Sequence, residues 1–314
     1  MEKLSDYIRL GISPSMLFPA AFDDELEHFC SIDRCCRLSE YESLETFLPF
    51  EERLRAEEIK KIKEYGKLLN YNTPARFQTE GAWNASSDDP DERAHAFKAM
   101  KQQIDFAAEA ECPMIVLTGT PDKGPARRPV LLERYGEFFM KCAMYASTYH
   151  MLTVIEPIER GSFKNLILGP TKECAAFIKS MQDQGADNAR LMLDTAHLPL
   201  MGEELKEAVQ ASIEAGLIHI HMGNAVLDKT SGFYGHTHPP VGVQKGCFDC
   251  EELTMQFKIL IQTGYIPTVP GGRRASISLE TRPYPGVSGE LSARIMYEKI
   301  SYAFMTALKE LRGV

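Results

Sequence analysis

The feature that most constrains this chain is an alternation repeated along its length: short apolar runs, each followed by a longer stretch with helical spacing. Period-two or continuous apolar patterns mark strands at 9–12, 41–48, 75–79, 113–118, 152–156, 189–194, 217–222 and 275–280. Between and after them, helical patterns cover 22–30, 51–69, 91–111, 130–150, 171–184, 202–215, 250–263 and 289–311. In 51–69 the apolar positions Leu54, Ile59, Ile62 and Leu68 share one broad face. Eight strand–helix units with no Gly-rich linker or composition break predict one (β/α)8 TIM barrel spanning residues 1–314. A doubly wound sheet also holds eight strands. However, no G-x-G-x-x-G follows the first strand or any other, so no nucleotide cofactor is expected.

Composition narrows the class further. The 35 basic and 44 acidic side chains give a net charge of −9, and 44% of residues are hydrophobic. An acidic balance argues against a nucleic-acid partner, because phosphate backbones are held by clustered Lys and Arg. No run approaches the roughly 18 apolar residues of a membrane span, and the first residues lack the pattern of a signal peptide. The expectation is therefore a cytoplasmic protein with no membrane partner. Its eight cysteines are scattered, as free thiols in a reducing compartment would be. Cys247 and Cys250 form one C-x-x-C without the second pair a zinc site needs.

Barrels carry their active sites at the C-terminal ends of the strands. Read that way, strand five ends in Glu156, strand six in Asp194, strand seven in His221 and strand eight in Glu280. Three carboxylates with one imidazole on four consecutive strands would repel one another unless a divalent cation binds between them. The donor set suits Mn2+, with Mg2+ or Co2+ as alternatives. His219 shares a face with His221 but lies deeper, as a buried, hydrogen-bonded neighbour. His197, three residues after Asp194, and Arg282, two after Glu280, are candidate substrate contacts. Trp83, the single tryptophan, is a candidate apolar wall for a sugar or aryl ring, together with Phe77. An extended loop, 224–249, precedes the last helix–strand unit and contains His236 and His238, candidate substrate contacts over the site.

The order Glu156, Asp194-x-x-His197, His221-x-Gly223 and Glu280 resembles the xylose-isomerase-like barrel superfamily of sugar phosphate isomerases and epimerases. The resemblance spans essentially the whole chain and is strongest from Leu152 onward. It implies that Glu156, Asp194, His221 and Glu280 bind Mn2+, that Glu156 and Glu280 are the catalytic acid/base pair, and that His197 touches substrate. The chain departs from ketose 3-epimerases in its longer interval between His221 and Glu280, and in Asn224, which stands where they carry a glutamate. With the segment from Glu280 to Gly286, the long loop is similar to the catalytic α subunit of bacterial C-glycoside deglycosidases. That similarity implies carbon–carbon bond cleavage of 3-oxo-C-glucosides, an aryl glycoside substrate and a small β subunit as partner, but Pro157 follows Glu156 where those enzymes' catalytic histidine is sought. A keto-sugar 3-epimerase or isomerase is the alternative. An AP-endonuclease-like DNA repair enzyme is a more remote one, disfavoured by the acidic charge and the few convergent histidines before strand five.

Overall fold

A computed structural model describes residues 2–73, 83–161 and 163–313. The apolar runs form eight parallel strands: β1 Ile8–Ile12, β2 Ser43–Thr46, β3 Leu68–Asn72, β4 Met114–Leu117, β5 Leu152–Ile155, β6 Ala189–Asp194, β7 Leu217–Met222 and β8 Ala275–Leu279. They pair in sequence order, and β8 pairs back onto β1, closing a (β/α)8 barrel. The main helices are α1 Glu25–Cys36, α2 Glu52–Glu64, α3 Pro90–Glu109, α4 Arg128–Ser147, α5 Thr171–Asp183, α6 Leu205–Glu214, α7 Cys250–Gln262 and α8 Gly289–Arg312. Side-chain caps set several of their starts. Asp24 accepts from the Leu26 and Glu27 amides, and Asp249 with Glu252 forms a capping box at α7.

The third strand is a correction. It was expected at 75–79, a segment outside the described residues, with 51–69 read as one helix. Instead α2 stops at Glu64, Gly66 takes φ +64°, and the chain re-enters the barrel at Leu68. A glycine in the left-handed region ends a helix without steric cost. Leu68, assigned to the helix's buried face, is the exposed first residue of β3.

Strand alternation divides the barrel interior into two halves. Val154 lies two residues before Glu156 and Met192 two before Asp194, and with Met114 and Val116 they form a separate apolar cluster. On the opposite half the equivalent positions are polar: Glu45, His219 and Ser278 are buried on β2, β7 and β8, and Gly11 of β1 lies between Ser43 and Ser278. A Cβ at Gly11 would fall 2.4 Å from Ser278 Oγ and 2.5 Å from Ser43 Oγ, so that half has no room for a side chain on β1.

The long loop after β7 is anchored by buried Asn224. Its Nδ2 donates to the carbonyls of Pro240 and Phe248, and its Oδ1 accepts from the Phe248 amide. Val226 adds bridges to Tyr234 and Gly246. Asn224 thus ties the loop over the barrel. Among the described residues no helix is long and apolar enough to cross a membrane. All eight cysteines are free thiols, Cys247 and Cys250 included.

Candidate metal centre

A cleft of about 530 Å³ opens on the C-terminal face of the barrel, lined in part by Glu45, Glu156, His197, His236, His238 and Glu280. At its base, Glu156, Asp194, His221 and Glu280 each offer a ligand atom, all within 4.8 Å of one another. His221 Nδ1 lies 3.2 Å from Glu156 Oε1 and 2.8 Å from Glu280 Oε2. Asp194 Oδ1 accepts from the Ala196 amide at 2.7 Å, while its Oδ2 is buried with no hydrogen-bond partner. A buried, unsatisfied carboxylate oxygen facing two further carboxylates and an imidazole fits a divalent cation, which would satisfy it.

Electrostatics point the same way. Burial pushes the Asp194 carboxyl up, and neighbouring Glu280 and Glu156 add to this against the pull of His197, leaving it well above the carboxylate range. Burial also raises Glu156 and Glu280, but the surrounding histidines together outweigh it, His221 and His197 at both and His238 at Glu280, and hold both below their ordinary value. His221 is driven far up despite burial by Glu280, Glu45 and Glu156. Crowded burial thus opposes charge on Asp194, while the carboxylates around His221 favour its charged form, an imbalance a bound divalent cation would relieve.

The other predicted residues sit around this base. His197 is buried, with Nε2 3.4 Å from Asp194 Oδ2 and Nδ1 3.2 Å from Glu159 Oε2. His236 stacks on it with ring centroids 4.7 Å apart, and His238 packs edge-on at 5.2 Å. His238 is buried beside Asp194, and burial holds its pKa down to about 3. Both loop histidines thus lie over the centre rather than in solvent. Arg282 is exposed at the cleft rim. Trp83 requires a correction. It does not line this cleft but a separate small pocket with Ala85, Ala96, Met100, Tyr135 and Phe138, packed against the helix-side core. β3 ends at Asn72, so Trp83 does not directly follow the strand. Phe77 lies outside the described residues.

Two buried carboxylates of this cluster were not picked out in sequence. Glu159, fully buried on the loop after β5, holds both His197 and His236, the latter through Nδ1 at 3.1 Å. Glu45, fully buried on β2, contacts His219 and His221 at 2.7 Å each. The available signal was the residue type, an acidic side chain in the middle of a strand that buries every position. His219 is fully buried and also contacts Ser276 Oγ at 2.8 Å.

Comparison with known proteins places this geometry. Residues 36–289 match the family model described as xylose isomerase-like TIM barrel. The chain belongs to that family. None of the curated proteins matches it by sequence. Among solved structures, it is similar to D-psicose 3-epimerase with D-tagatose from Clostridium cellulolyticum H10, at 15% identity over 95% of this chain and 98% of that one, with a TM-score of 0.65. It is also similar to 3-keto-D-glucoside 4-epimerase from E. coli, at 14% identity over 95% and 99%, TM-score 0.67. A third is the family 2 AP endonuclease from Brucella melitensis, at 16% identity over 92% and 98%, TM-score 0.63. At these identities the likeness is one of fold.

Proposed function

We propose that this family member is a divalent-metal-dependent enzyme that moves a proton next to the carbonyl of a keto-sugar, as an epimerase or isomerase. The observation that carries this is the convergence of Glu156 and Glu280 on one buried point with Asp194 and His221. A divalent cation held by these four would polarise a sugar carbonyl and the oxygen beside it, acidifying the intervening C–H. Glu156 and Glu280 reach the point from β5 and β8, strands three places apart in the ring, so they approach a bound sugar from different sides. Both carboxyls are held below their ordinary value, which suits the one that removes the proton as general base; the other must first take up a proton from solvent, which it then delivers to the opposite side of the carbon. His197, His236 and His238 line the same cleft and offer hydrogen bonds to sugar hydroxyls, and Arg282 stands at its mouth. The names of the similar epimerases support keto-sugars as the substrate class.

A second reading is carbon–carbon cleavage of a 3-oxo-C-glucoside, favoured by the extended loop that brings His236 and His238 over the centre. In that reaction a glutamate takes the C2 proton, the C1–C2 double bond forms, and the C1–aryl bond breaks. The aryl carbon receives a proton from solvent in the cleft, beside the loop histidines. A small partner subunit belongs to this reading alone.

The test is metal analysis of the purified protein, followed by NMR of deuterium exchange into free ketoses and 3-keto-glucosides, and of aglycone release from 3-oxo-C-glucosides. Exchange without release is expected. Absence of any bound or activating divalent ion refutes both readings, and aglycone release, above all with a co-purifying small chain, would replace the first by the second.

A further inference from the structure

The polar half of the barrel interior is a costly arrangement. Barrel interiors are ordinarily filled by branched apolar side chains, and a buried charge is tolerated only where it is paired. Yet Glu45 and His219, both fully buried, occupy interior positions just below the candidate metal centre, where apolar residues would fill the space at lower cost.

Their contacts form a chain across the barrel. Ser276 Oγ on β8 is 2.8 Å from His219 Nδ1 on β7, and His219 Nε2 is 2.7 Å from Glu45 Oε2 on β2. The other oxygen, Glu45 Oε1, is 2.7 Å from His221 Nε2. This last approach lies off the line of a regular N–H···O bond, so its hold is electrostatic. Both nitrogens of His221 thus face carboxylate oxygens: Nδ1 is hydrogen-bonded to Glu156 Oε1 at 3.2 Å and lies 2.8 Å from Glu280 Oε2, so without a cation each side is best met by an N–H. A cation seated among Glu156, Asp194 and Glu280 would take the place of the Nδ1 proton, and the remaining proton would stay on Nε2 against Glu45. In the same way, Glu45 places the His219 proton on Nε2 and leaves Nδ1 to accept from the Ser276 hydroxyl.

We propose that Glu45, steadied by His219 and Ser276, is a positioning residue that fixes the tautomer and direction of His221, so that its Nδ1 is the nitrogen that binds the divalent cation. This rests on the proposed metal function but adds a residue, a ligating atom and a direction of control. Carboxylates that orient metal-bound histidines typically contribute 10- to 100-fold in metal affinity.

The experiment titrates Mn2+ and Co2+ into the metal-free wild type, Glu45→Gln and Glu45→Leu by calorimetry. The Co2+ absorption spectrum is the second readout, and circular dichroism with apo melting establishes folding. Both variants are expected to fold and to bind either ion about 10- to 100-fold more weakly at unchanged stoichiometry, with altered Co2+ bands. Glu45→Leu is expected to melt lower than Glu45→Gln, because glutamine keeps an oxygen for buried His219 Nε2 whereas leucine leaves it unpaired. Affinities within about twofold of the wild type in either folded variant would overturn the inference while leaving the metal reading intact. Glu45, His219 and His221 also lie close enough to hold an ion themselves. Loss of one of two bound ions, with the other unchanged, would therefore overturn it as well. A wild type that binds no divalent ion would overturn both this inference and the reading it rests on.

Discussion

Replacing Gly223 by alanine tests the centre through space alone. Gly223 follows His221 by two residues and does not need a left-handed backbone, so alanine meets no conformational penalty there. Its Cβ, however, would lie 2.8 Å from Ala196 Cβ, 2.9 Å from Asp194 Oδ1 and 3.2 Å from the Glu280 carbonyl oxygen. Ala196 cannot swing away, and the neighbouring Thr195 is tied to Gly223 by reciprocal hydrogen bonds of 3.1 Å. Asp194 must move, and with it a metal-side carboxylate. Overpacking of this kind costs about 1–3 kcal/mol. At roughly 2 °C per kcal/mol for a chain of this size, the apo protein should melt about 2–6 °C lower. If the shifted carboxylate weakens the cation tenfold, a fixed Mn2+ concentration should give about 1.4 kcal/mol less stabilisation than in the wild type. Scanning calorimetry with and without Mn2+ measures both effects. An apo midpoint and a metal-induced rise both equal to the wild type's would refute the argument that this glycine keeps Asp194 in place.

Other consequences can be measured independently. Glu156→Gln and Glu280→Gln should each slow substrate deuterium exchange by at least about 100-fold, and a fully active variant would remove that residue from the acid/base pair. Trp83 packs away from the cleft, so its fluorescence should not change on titration with a keto-sugar; a clear spectral shift on binding would contradict that placement. Arg128 grips Asp122 with bonds of 3.2 and 2.7 Å and holds its carboxyl below the ordinary value. Because the folded pKa is depressed, this stabilisation is present above about pH 4 and is lost as pH falls below it. The urea midpoints of wild type and Asp122→Asn should therefore converge between about pH 6 and pH 3. A constant gap across that range would disprove the linkage.

Much of the barrel was legible because its signals are local. β6 and β7 lie at the residues their apolar runs indicated, and Asp194, His221 and the neighbouring glutamates could be placed because each closes its own strand. The third strand was misplaced for the same reason: Leu68 continued a helical spacing, and only Gly66 marked the change of direction.

By itself, the sequence determined seven of the eight strands and the side chains that β5 to β8 deliver to the rim, since a period of two or 3.6 is written within a few consecutive residues. Only the tertiary structure decided which side chains meet across the ring. Glu45 and His221 are 176 positions apart (221 − 45) on strands that do not pair, and they touch because closure makes the two strands face one another. His236 and His238 likewise reach the centre only because Asn224 folds their loop back over it. Such contacts depend on barrel closure and loop anchoring, and no local pattern in the chain encodes them.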